Sequence, residues 1–271
     1  MYTPSISRVD PNLMMLNCDM SACYVSRDGG RHWRMVHHRQ KTTNTICKSA
    51  FHPKDPNVIY APLGRDRIAI SRDKGETWQH HGNVPAQLCG EIVVDPDNPS
   101  FMVAGTVSGA AVSNSEGKSW SLCSGIQGRC VGIHVDRTSA PGRRTVFVAT
   151  DKGIWRSDDG GETWIDKTAA LPSKKILSFC GGSDPKRKLV MLYCSIPARA
   201  AGKEYAGGIY RSSNKGESWE WAMGKGINKD ITAADRYAAG PVAQYKAVLT
   251  TDAAPLTVYA LNSSTGFWPP H

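Results

Sequence analysis

The sequence has no long apolar run, no visible export leader and none of several short motifs that mark common enzyme classes. No stretch of about eighteen apolar residues occurs in its 271 residues, so a transmembrane helix is not expected. Residues 1–12 lack the basic start and apolar core of a signal peptide. GxSxG, P-loop and HExxH sequences are also missing, which argues against serine hydrolase, nucleotide and zincin chemistry. We expect no cofactor.

The net charge says little about which partners the protein binds. The formal net charge is +9, from 33 Lys and Arg against 24 Asp and Glu, but the basic residues are scattered along the chain. No Arg-rich tract or RNA-binding aromatic motif accompanies them, so we expect a solvated basic surface and no nucleic-acid partner. We favour a secreted or periplasmic location, although no leader is visible in this chain.

One eight-residue pattern, SxDxGx(S/T)W, organises the whole sequence. It begins at Ser26, Ser71, Ser113, Ser157 and Ser212, so successive starts are 45, 42, 44 and 55 residues apart. A period of this size predicts a repeat architecture, in which one supersecondary unit is copied and stacked on its neighbours.

Each copy has the features of a β-hairpin turn. An apolar, strand-like segment precedes it, and the acid or amide at its third position, as in Asp73, can accept hydrogen bonds from free backbone N–H groups. The glycine supplies a positive φ angle, and the Trp begins the outgoing strand and packs between adjacent sheets. Ser115 replaces the acid in the third copy and His32 replaces Ser or Thr in the first, so we expect those two turns to be weaker.

The pattern resembles the Asp-box, or BNR, repeat of sialidases, family 74 xyloglucanases, sortilin-type receptors and photosystem assembly propellers. The resemblance implies an all-β protein, a β-propeller of four-stranded antiparallel blades within a single domain, 1–271. The expected blades are 1–39, 40–82, 83–125, 126–170 and 171–224, with part of a sixth at 240–271. Since propellers normally close into a ring, we expect the chain to be a portion of a six- or seven-bladed protein.

Eight cysteines form an even set, which would allow disulfides in an exported protein. Cys18 and Cys23 could close one short loop, and Cys123 and Cys130 another. A different pattern places cysteines near the first strands of successive repeats, where a propeller lines its channel: Cys47, Cys89, Cys130 and Cys180. Four thiolates would suit zinc. We favour small buried residues packing the channel, since no CxxC spacing occurs.

The segment Asn17–Tyr24 carries a sharper resemblance. It is similar to the TDxGGAY segment of family 74 glycoside hydrolases, in which the Asp is the general base. The resemblance implies that Asp19 is the base, while Met20, Ser21 and Cys23 depart from the pattern. An alternative role for Asp19 is to cap a polar turn. The candidates for the acid partner, which the sequence does not rank, are Asp66, Asp151, Glu204, Asp230 and Asp235.

Function in a propeller usually lies on the face formed by the loops from second to third strand and between blades. The loops Ser195–Gly208 and Gly224–Tyr245 are longer than connection requires, and we take them as candidate binding elements. The candidate substrate-binding residues are Tyr24, Arg65, Asp66, Arg67, Asp151, Arg199, Glu204, Tyr205, Asp235, Arg236 and Tyr237. Exposed aromatic residues in this region, Trp221 among them, would favour a glycan site.

Two functions follow from the resemblance. The first is a carbohydrate-directed propeller, a glycoside hydrolase of the xyloglucanase type acting on polysaccharide. The second is a non-catalytic propeller that binds a protein or glycan partner. A sialidase ranks lower because no FRIP-like motif is present. The histidine pairs His37/His38 and His80/His81 end equivalent strands, where they could bind metal but are better explained as solvated strand-end residues.

Overall fold

The computed structural model describes residues 2–18, 23–42, 46–201, 204–223 and 244–262. Within these ranges every regular element is a β-strand. No helix in the described ranges has the length and apolarity of a membrane span. The all-β class predicted from the repeats is therefore confirmed for the described part of the chain.

The first sheet has four antiparallel strands in chain order. They are β1 (Tyr2–Ile6), β2 (Met14–Cys18), β3 (Cys23–Ser26) and β4 (Arg34–Met35). Met15 and Val25 are directly opposite each other on β2 and β3, and both are buried. Asn17 and Cys23 form the last pair before the connection between these strands.

One strand lies in a different sheet from the one that the repeat pattern predicted, at the border between the second and third sheets. The second sheet contains β6 (Ala50–Phe51), β7 (Ile59–Leu63), β8 (Arg67–Ser71) and β9 (Gln79–Asn83). The third contains β10 (Leu88–Val94), β11 (Met102–Thr106), β12 (Gly109–Ser113) and β13 (Ser121–Leu122). Strand β5 (Cys47–Lys48), expected in the second sheet, instead pairs in parallel with Gly90 and Glu91 of β10.

The second half of the chain repeats the same arrangement. The fourth sheet contains β14 (Cys130–Asp136), β15 (Thr145–Thr150), β16 (Gly153–Ser157) and β17 (Ile165–Asp166). The fifth contains β18 (Ser178–Asp184), β19 (Leu189–Ala201), β20 (Glu204–Ser212) and β21 (Glu220–Trp221). A two-stranded antiparallel sheet follows, formed by β22 (Tyr245–Thr251) and β23 (Ala254–Asn262).

The repeated turn uses its polar side chains to satisfy backbone donors. In the second copy Gly75 N donates to Ser71 Oγ at 2.7 Å, and Thr77 N donates to Asp73 Oδ1 at 2.9 Å. The third copy keeps this arrangement without an acid, because Ser119 N donates to Ser115 Oγ at 2.9 Å. A hydroxyl can therefore replace the carboxylate as the acceptor in this turn.

The turn needs two consecutive residues with positive φ. The first copy provides Gly29 and Gly30, with φ of 71° and 89°. In the second copy Lys74 adopts φ 56° directly before Gly75 at 83°. A lysine at such an angle is strained, and its Nζ lies 2.9 Å from Asp10 Oδ2 in the connection between β1 and β2. The pattern did not reveal this second position, since only two of the five copies have glycine there.

The tryptophans of the turn pack as expected in three copies. Trp78 is buried with Leu13 and Met15 of the first sheet, and Trp120 with Val58 of the second. Trp219 is buried in a cluster with Phe147 of the fourth sheet. Each of these rings thus fills the space between its own sheet and the preceding one. Trp33 differs, because 41% of its surface is exposed.

The chain divides into two compact units. Residues 1–130 and 161–163 form one unit, and residues 131–160 and 164–271 form the other. Apolar clusters between neighbouring sheets supply the core of each: in the first unit Tyr60, Ile68 and Met102 belong to one cluster. In the second unit Leu192 packs with Phe147. The single domain and blade limits inferred from the sequence stay predictions.

One expectation about a loop was wrong, and the structure decides between the alternatives that the sequence left open for the cysteines. The segment Ser195–Gly208, expected as a long loop, is mostly the end of β19 and the start of β20, because backbone pairing continues to Ala201 and Glu204. The eight cysteines are thiols, so neither of the local disulfides that the sequence would allow is formed. In the described ranges no group of three or more His, Cys, Asp and Glu side chains is placed to hold a metal. The zinc alternative therefore has no support among the described side chains.

Candidate functional site

A cleft of about 490 Å³ opens beside the long hairpin of β19 and β20. Its lining is formed by this hairpin, by Trp221 of β21 and by the segment before β18. The lining residues are Pro172, Ser173, Ile196, Pro197, Ala198, Arg199, Ala206, Gly207, Tyr210 and Trp221. All of them belong to the second unit.

A bulge shapes the cleft wall. The register of β19 and β20 shifts between Ile196 and Arg199, because three steps along β19 face two steps along β20. Gly207 lies in the bulge with φ +89°, and a Cβ built on it would lie 2.3 Å from the carbonyl oxygen of Pro197. Only glycine fits here, since any side chain would collide with the opposite strand.

The bulge also leaves backbone groups that need partners. The side chain of Gln244 meets both groups of Ala198: its Oε1 accepts from Ala198 N at 2.9 Å, and its Nε2 donates to Ala198 O at 2.8 Å. The amide therefore takes the place of a missing strand neighbour. These two hydrogen bonds hold the wall of the cleft in one conformation.

Two aromatic side chains line the cleft side by side. Tyr210 and Trp221 are directly opposite each other on β20 and β21, so their side chains project from the same face. Trp221 is 37% exposed, and its Nε1 donates to Gly207 O at 2.7 Å. The indole is thus fixed in orientation and still reaches solvent.

The ionisation state of Tyr210 follows from its position. Burial is the main cause of a raised pKa for its phenol, with a smaller contribution from Cys194. The phenol is therefore neutral at physiological pH and can donate a hydrogen bond. Arg199 is exposed on the lining and supplies a positive charge. Among the described residues of the lining there is no carboxylate.

The pair Tyr210 and Trp221 occupies a position that recurs in all five sheets. It lies two residues before the turn serine and two residues after the turn tryptophan. The equivalent pairs are Tyr24 and Met35, Ala69 and His80, Ala111 and Leu122, and Trp155 and Asp166. In the fifth sheet alone both members are aromatic. Sequence reasoning missed Tyr210, although counting from the turn would have found it.

The predicted residues of the second unit are partly brought together. Arg199 lines the cleft, and Glu204 and Tyr205 lie on the same hairpin, opposite Ala201 and Ala200. Asp151 is half-buried in the turn between β15 and β16, away from this hairpin in the sheet order. Other predicted residues lie outside the described ranges: Asp19, Asp230, Asp235, Arg236 and Tyr237.

The predicted site residues of the first unit do not line the cleft. Arg65 and Asp66 form the turn between β7 and β8, where Arg65 Nη2 donates to Gln87 Oε1 at 2.9 Å. The Asp66 carbonyl accepts from Val84 N at 2.7 Å. Arg67 is exposed at the start of β8, and Tyr24 is half-buried on β3. None of these four lines the cleft.

The paired histidines make local contacts. The rings of His37 and His38 are 4.5 Å apart and both residues are exposed. His80 Nε2 lies 2.9 Å from Asn83 Oδ1, and His81 Nε2 lies 2.8 Å from Glu116 O. These contacts fit residues at strand ends, and within the described part of the chain they provide no metal site.

The curated proteins that match the sequence include xyloglucanases. No family model matches the sequence. The chain is 26% identical to xyloglucanase Xgh74A of Acetivibrio thermocellus over 226 aligned positions, which cover 66% of this chain and 25% of the relative. The chain therefore spans about a quarter of the length of this curated relative.

Solved structures show the architecture. The GH74 xyloglucanase of Xanthomonas campestris matches with a TM-score of 0.68 at 17% identity, over 96% of this chain and 41% of that one. YCF48 bound to D1 peptide matches with a TM-score of 0.60 at 14% identity, over 93% of this chain and 71% of that one. The chain thus has the propeller-like fold of the GH74 structures, built largely from four-stranded antiparallel sheets.

Proposed function

We propose that this chain is a carbohydrate-directed propeller that binds polysaccharide in the cleft beside Trp221. We further propose that it acts as a glycoside hydrolase of the xyloglucanase type. The observation that carries the proposal is the pair Tyr210 and Trp221, set on facing strands in a cleft of about 490 Å³. The xyloglucanase names of the sequence relatives support the choice of a polysaccharide.

The chemistry of the lining suits a sugar chain. The C–H-rich face of a pyranose ring packs on an indole, which removes apolar surface from water without leaving the sugar hydroxyls unsolvated. The phenol of Tyr210 and the guanidinium of Arg199 can donate to hydroxyl and ring oxygens. Since Gly207 O holds the indole nitrogen at 2.7 Å, the stacking surface is preorganised.

Catalysis would need two carboxyl groups. In this proposal Asp19 is the general base that activates water, and a second acid protonates the leaving oxygen at a separation of about 6.5–9.5 Å. The described lining residues offer no carboxylate for the second role. The acid therefore comes from outside the lining, and its candidates stay the five named from the sequence: Asp66, Asp151, Glu204, Asp230 and Asp235.

Binding is tested by titrating xyloglucan, and a panel of neutral and acidic polysaccharides, into the protein by calorimetry. We expect Trp221→Ala to weaken binding about tenfold or more, because roughly 60–100 Å² of apolar stacking is lost. Trp33→Ala is the matched control: Trp33 is also exposed, and its Nε1 also donates to a glycine carbonyl, at 3.0 Å. Equal affinities for both variants would contradict the proposal.

Catalysis is tested separately by sugar release from the same panel, with Asp19→Ala as the variant. We expect release by the wild-type chain and loss of about a hundredfold or more in the variant. Binding that persists without any sugar release would refute the catalytic part and leave the binding part intact.

A second candidate function is recognition of an acidic peptide. Arg199 is exposed on a lining whose described residues include no carboxylate, and a fold neighbour was solved with a bound peptide. A peptide carboxylate would form a charge-assisted pair with the guanidinium. We expect Arg199→Gln to abolish binding of acidic peptides, because the positive charge is lost, while neutral polysaccharide is still bound, because the amide can still donate a hydrogen bond to the sugar. Loss of both, or of neither, would argue against this candidate.

A further inference from the structure

Two copies of the repeated turn carry a lysine and a glutamate that bind the preceding sheet. When the turn serine is counted as position one, the second and fifth copies have Lys at position four and Glu at position six. In the fifth copy Lys215 Nζ lies 3.1 Å from Asp136 Oδ2. Glu217 Oε1 lies 2.7 Å from Arg156 Nη1. Asp136 and Arg156 both belong to the fourth sheet, so this turn is attached to its neighbour by two ion pairs of opposite polarity.

The second copy of the turn makes the same kind of contact with the first repeat. Lys74 Nζ lies 2.9 Å from Asp10 Oδ2, in the connection between β1 and β2. Glu76 pairs with Arg27, which follows β3. Two separate copies therefore use an acid of the preceding repeat for the lysine and an arginine for the glutamate. A repeat that offers both groups in these places is suited to receive such a turn.

The fifth sheet offers both groups. Asp184 is the last residue of β18, as Asp136 is the last residue of β14. Arg211 and Arg156 are equivalent as well: each directly precedes its turn serine and is paired with the residue after the turn tryptophan. Asp184 and Arg211 therefore occupy, on the fifth sheet, the positions that hold Lys215 and Glu217 on the fourth.

The present ion pairs of these two residues are weak competitors. Asp184 Oδ2 lies 3.6 Å from Arg187 Nε, and Arg211 Nη2 lies 3.0 Å from Glu220 Oε2. Both partners belong to the fifth sheet or its turns, and their side chains are 73% and 65% exposed. Ion pairs between exposed side chains contribute little free energy because water screens them. Asp184 and Arg211 can therefore exchange these partners for the charges of an incoming turn.

The two-stranded sheet beside them has a place for the strands of that turn. Val248 N of β22 donates to Ser178 Oγ of β18 at 3.1 Å, and Tyr193 Oη of β19 donates to Pro255 O of β23 at 2.9 Å. The strands β22 and β23 thus correspond to the first and second strands of a further sheet. In the five other sheets a third strand pairs with the second, whereas β23 pairs with β22 alone in the described ranges. Its edge, nine residues long, is a template for an added strand.

We propose that the edge of β23, together with Asp184 and Arg211, binds a β-hairpin of another polypeptide that carries this turn with Lys at position four and Glu at position six. The strands of the hairpin extend the sheet of β22 and β23, its lysine pairs with Asp184, and its glutamate pairs with Arg211. The two opposite charges select the partner, because a turn with the charges exchanged would meet two like charges. Arg211 alternates along β20 with Tyr210, so this site lies on the opposite face of the strand from the polysaccharide cleft.

A synthetic peptide with the sequence of residues 67–82 is the probe, since it contains the second copy of the turn with both flanking strands. The matched control is the same peptide with Lys74 and Glu76 exchanged, which keeps its length, composition and net charge. Fluorescence anisotropy of the labelled peptides measures their binding to the whole chain. We expect the native sequence to bind at least about tenfold more tightly, because the exchange turns two attractions into two repulsions.

Reversal of the two charges on the protein provides the second test. We expect the double variant Asp184→Lys, Arg211→Glu to prefer the exchanged peptide by about tenfold, which a hairpin bound elsewhere on the chain would not do. Equal binding of the two peptides to the wild-type chain would indicate strand addition without the ion pairs and would overturn the proposal. Absence of binding by either peptide would also overturn it, and both results are obtained without the variant.

Discussion

Replacement of Gly207 by alanine tests how the bulge creates the cleft. Two costs add at this position. A φ of +89° is unfavourable for any side chain, by about 1–2 kcal/mol. The new Cβ would also lie 2.3 Å from Pro197 O and 3.1 Å from Pro197 C, so one strand must move. We estimate a total loss of about 3–5 kcal/mol in the free energy of unfolding.

Gly160→Ala separates the two costs. Gly160 lies in the same unit and has φ +78°, but nothing lies within 4 Å of a Cβ built on it. It therefore reports the backbone cost alone, about 1–2 kcal/mol. Urea unfolding of both variants gives the difference, which we expect to be about 2 kcal/mol or more.

Binding gives a second readout of the same change. The carbonyl of Gly207 holds the Trp221 indole, so displacement of the bulge also removes the fixed stacking surface. We expect Gly207→Ala to weaken polysaccharide binding by about tenfold, while Gly160→Ala leaves it unchanged. If the two alanine variants unfold at the same urea concentration, the argument from close approach at Gly207 is wrong.

Three further predictions concern strain and charge. Lys188→Gly should stabilise the protein by about 0.5–1 kcal/mol in urea unfolding, because Lys188 has φ 51° and glycine adopts this angle without strain. The control is Lys186→Gly, at a position without positive φ. It should destabilise the protein by a similar amount. Burial tends to raise the pKa of Asp73, but hydrogen bonds from Thr77 and Ser71 outweigh it and the pKa is lowered. The Asp73 contribution to stability is therefore complete above the ordinary pKa of 3.8 and is lost as pH falls through the lowered value, so Asp73→Asn should make the acid-side fall in Tm shallower. Burial lowers the pKa of Lys41, so the unfolded chain binds more protons than the folded one at pH values between the lowered pKa and the ordinary 10.5. The wild-type Tm should therefore gain from this residue as pH rises through that window. Lys41→Met should lack the gain. An unchanged pH profile in either variant would contradict the assigned shift.

The architecture was predictable because it rests on local, repeated signals. The turn serine accepts from the glycine four residues later, as for Ser71 and Gly75 at 2.7 Å and for Ser113 and Gly117 at 3.0 Å. That contact depends only on residues inside the motif, so the motif itself reports it. The parallel pairing of β5 with β10 was not predictable, because it joins residues 43 positions apart, such as Cys47 and Gly90, without any sequence signal.

The candidate site was only partly predictable, for a similar reason. The positive charge of Arg199 and the aromatic character of Trp221 are visible in the sequence. The bulge that brings them to one cleft depends on Gly207 meeting Pro197 and on Gln244 bonding Ala198. These contacts cross between strands, and the last one spans 46 residues. No pattern of composition or period encodes such pairings.

The repeated scaffold explains how a site can arise in one sheet without disturbing the others. The position of Tyr210 and Trp221 recurs in each of the five sheets that contain the turn, and its backbone pairing is the same when alanine and leucine occupy it, as in Ala111 and Leu122. Side chains there are therefore free to vary, because the ladder does not depend on them. The fold-determining contacts lie instead in the turn, where serine, glycine and the acceptor at the third position meet. Separation of these two sets of positions lets one fold carry different ligand chemistries.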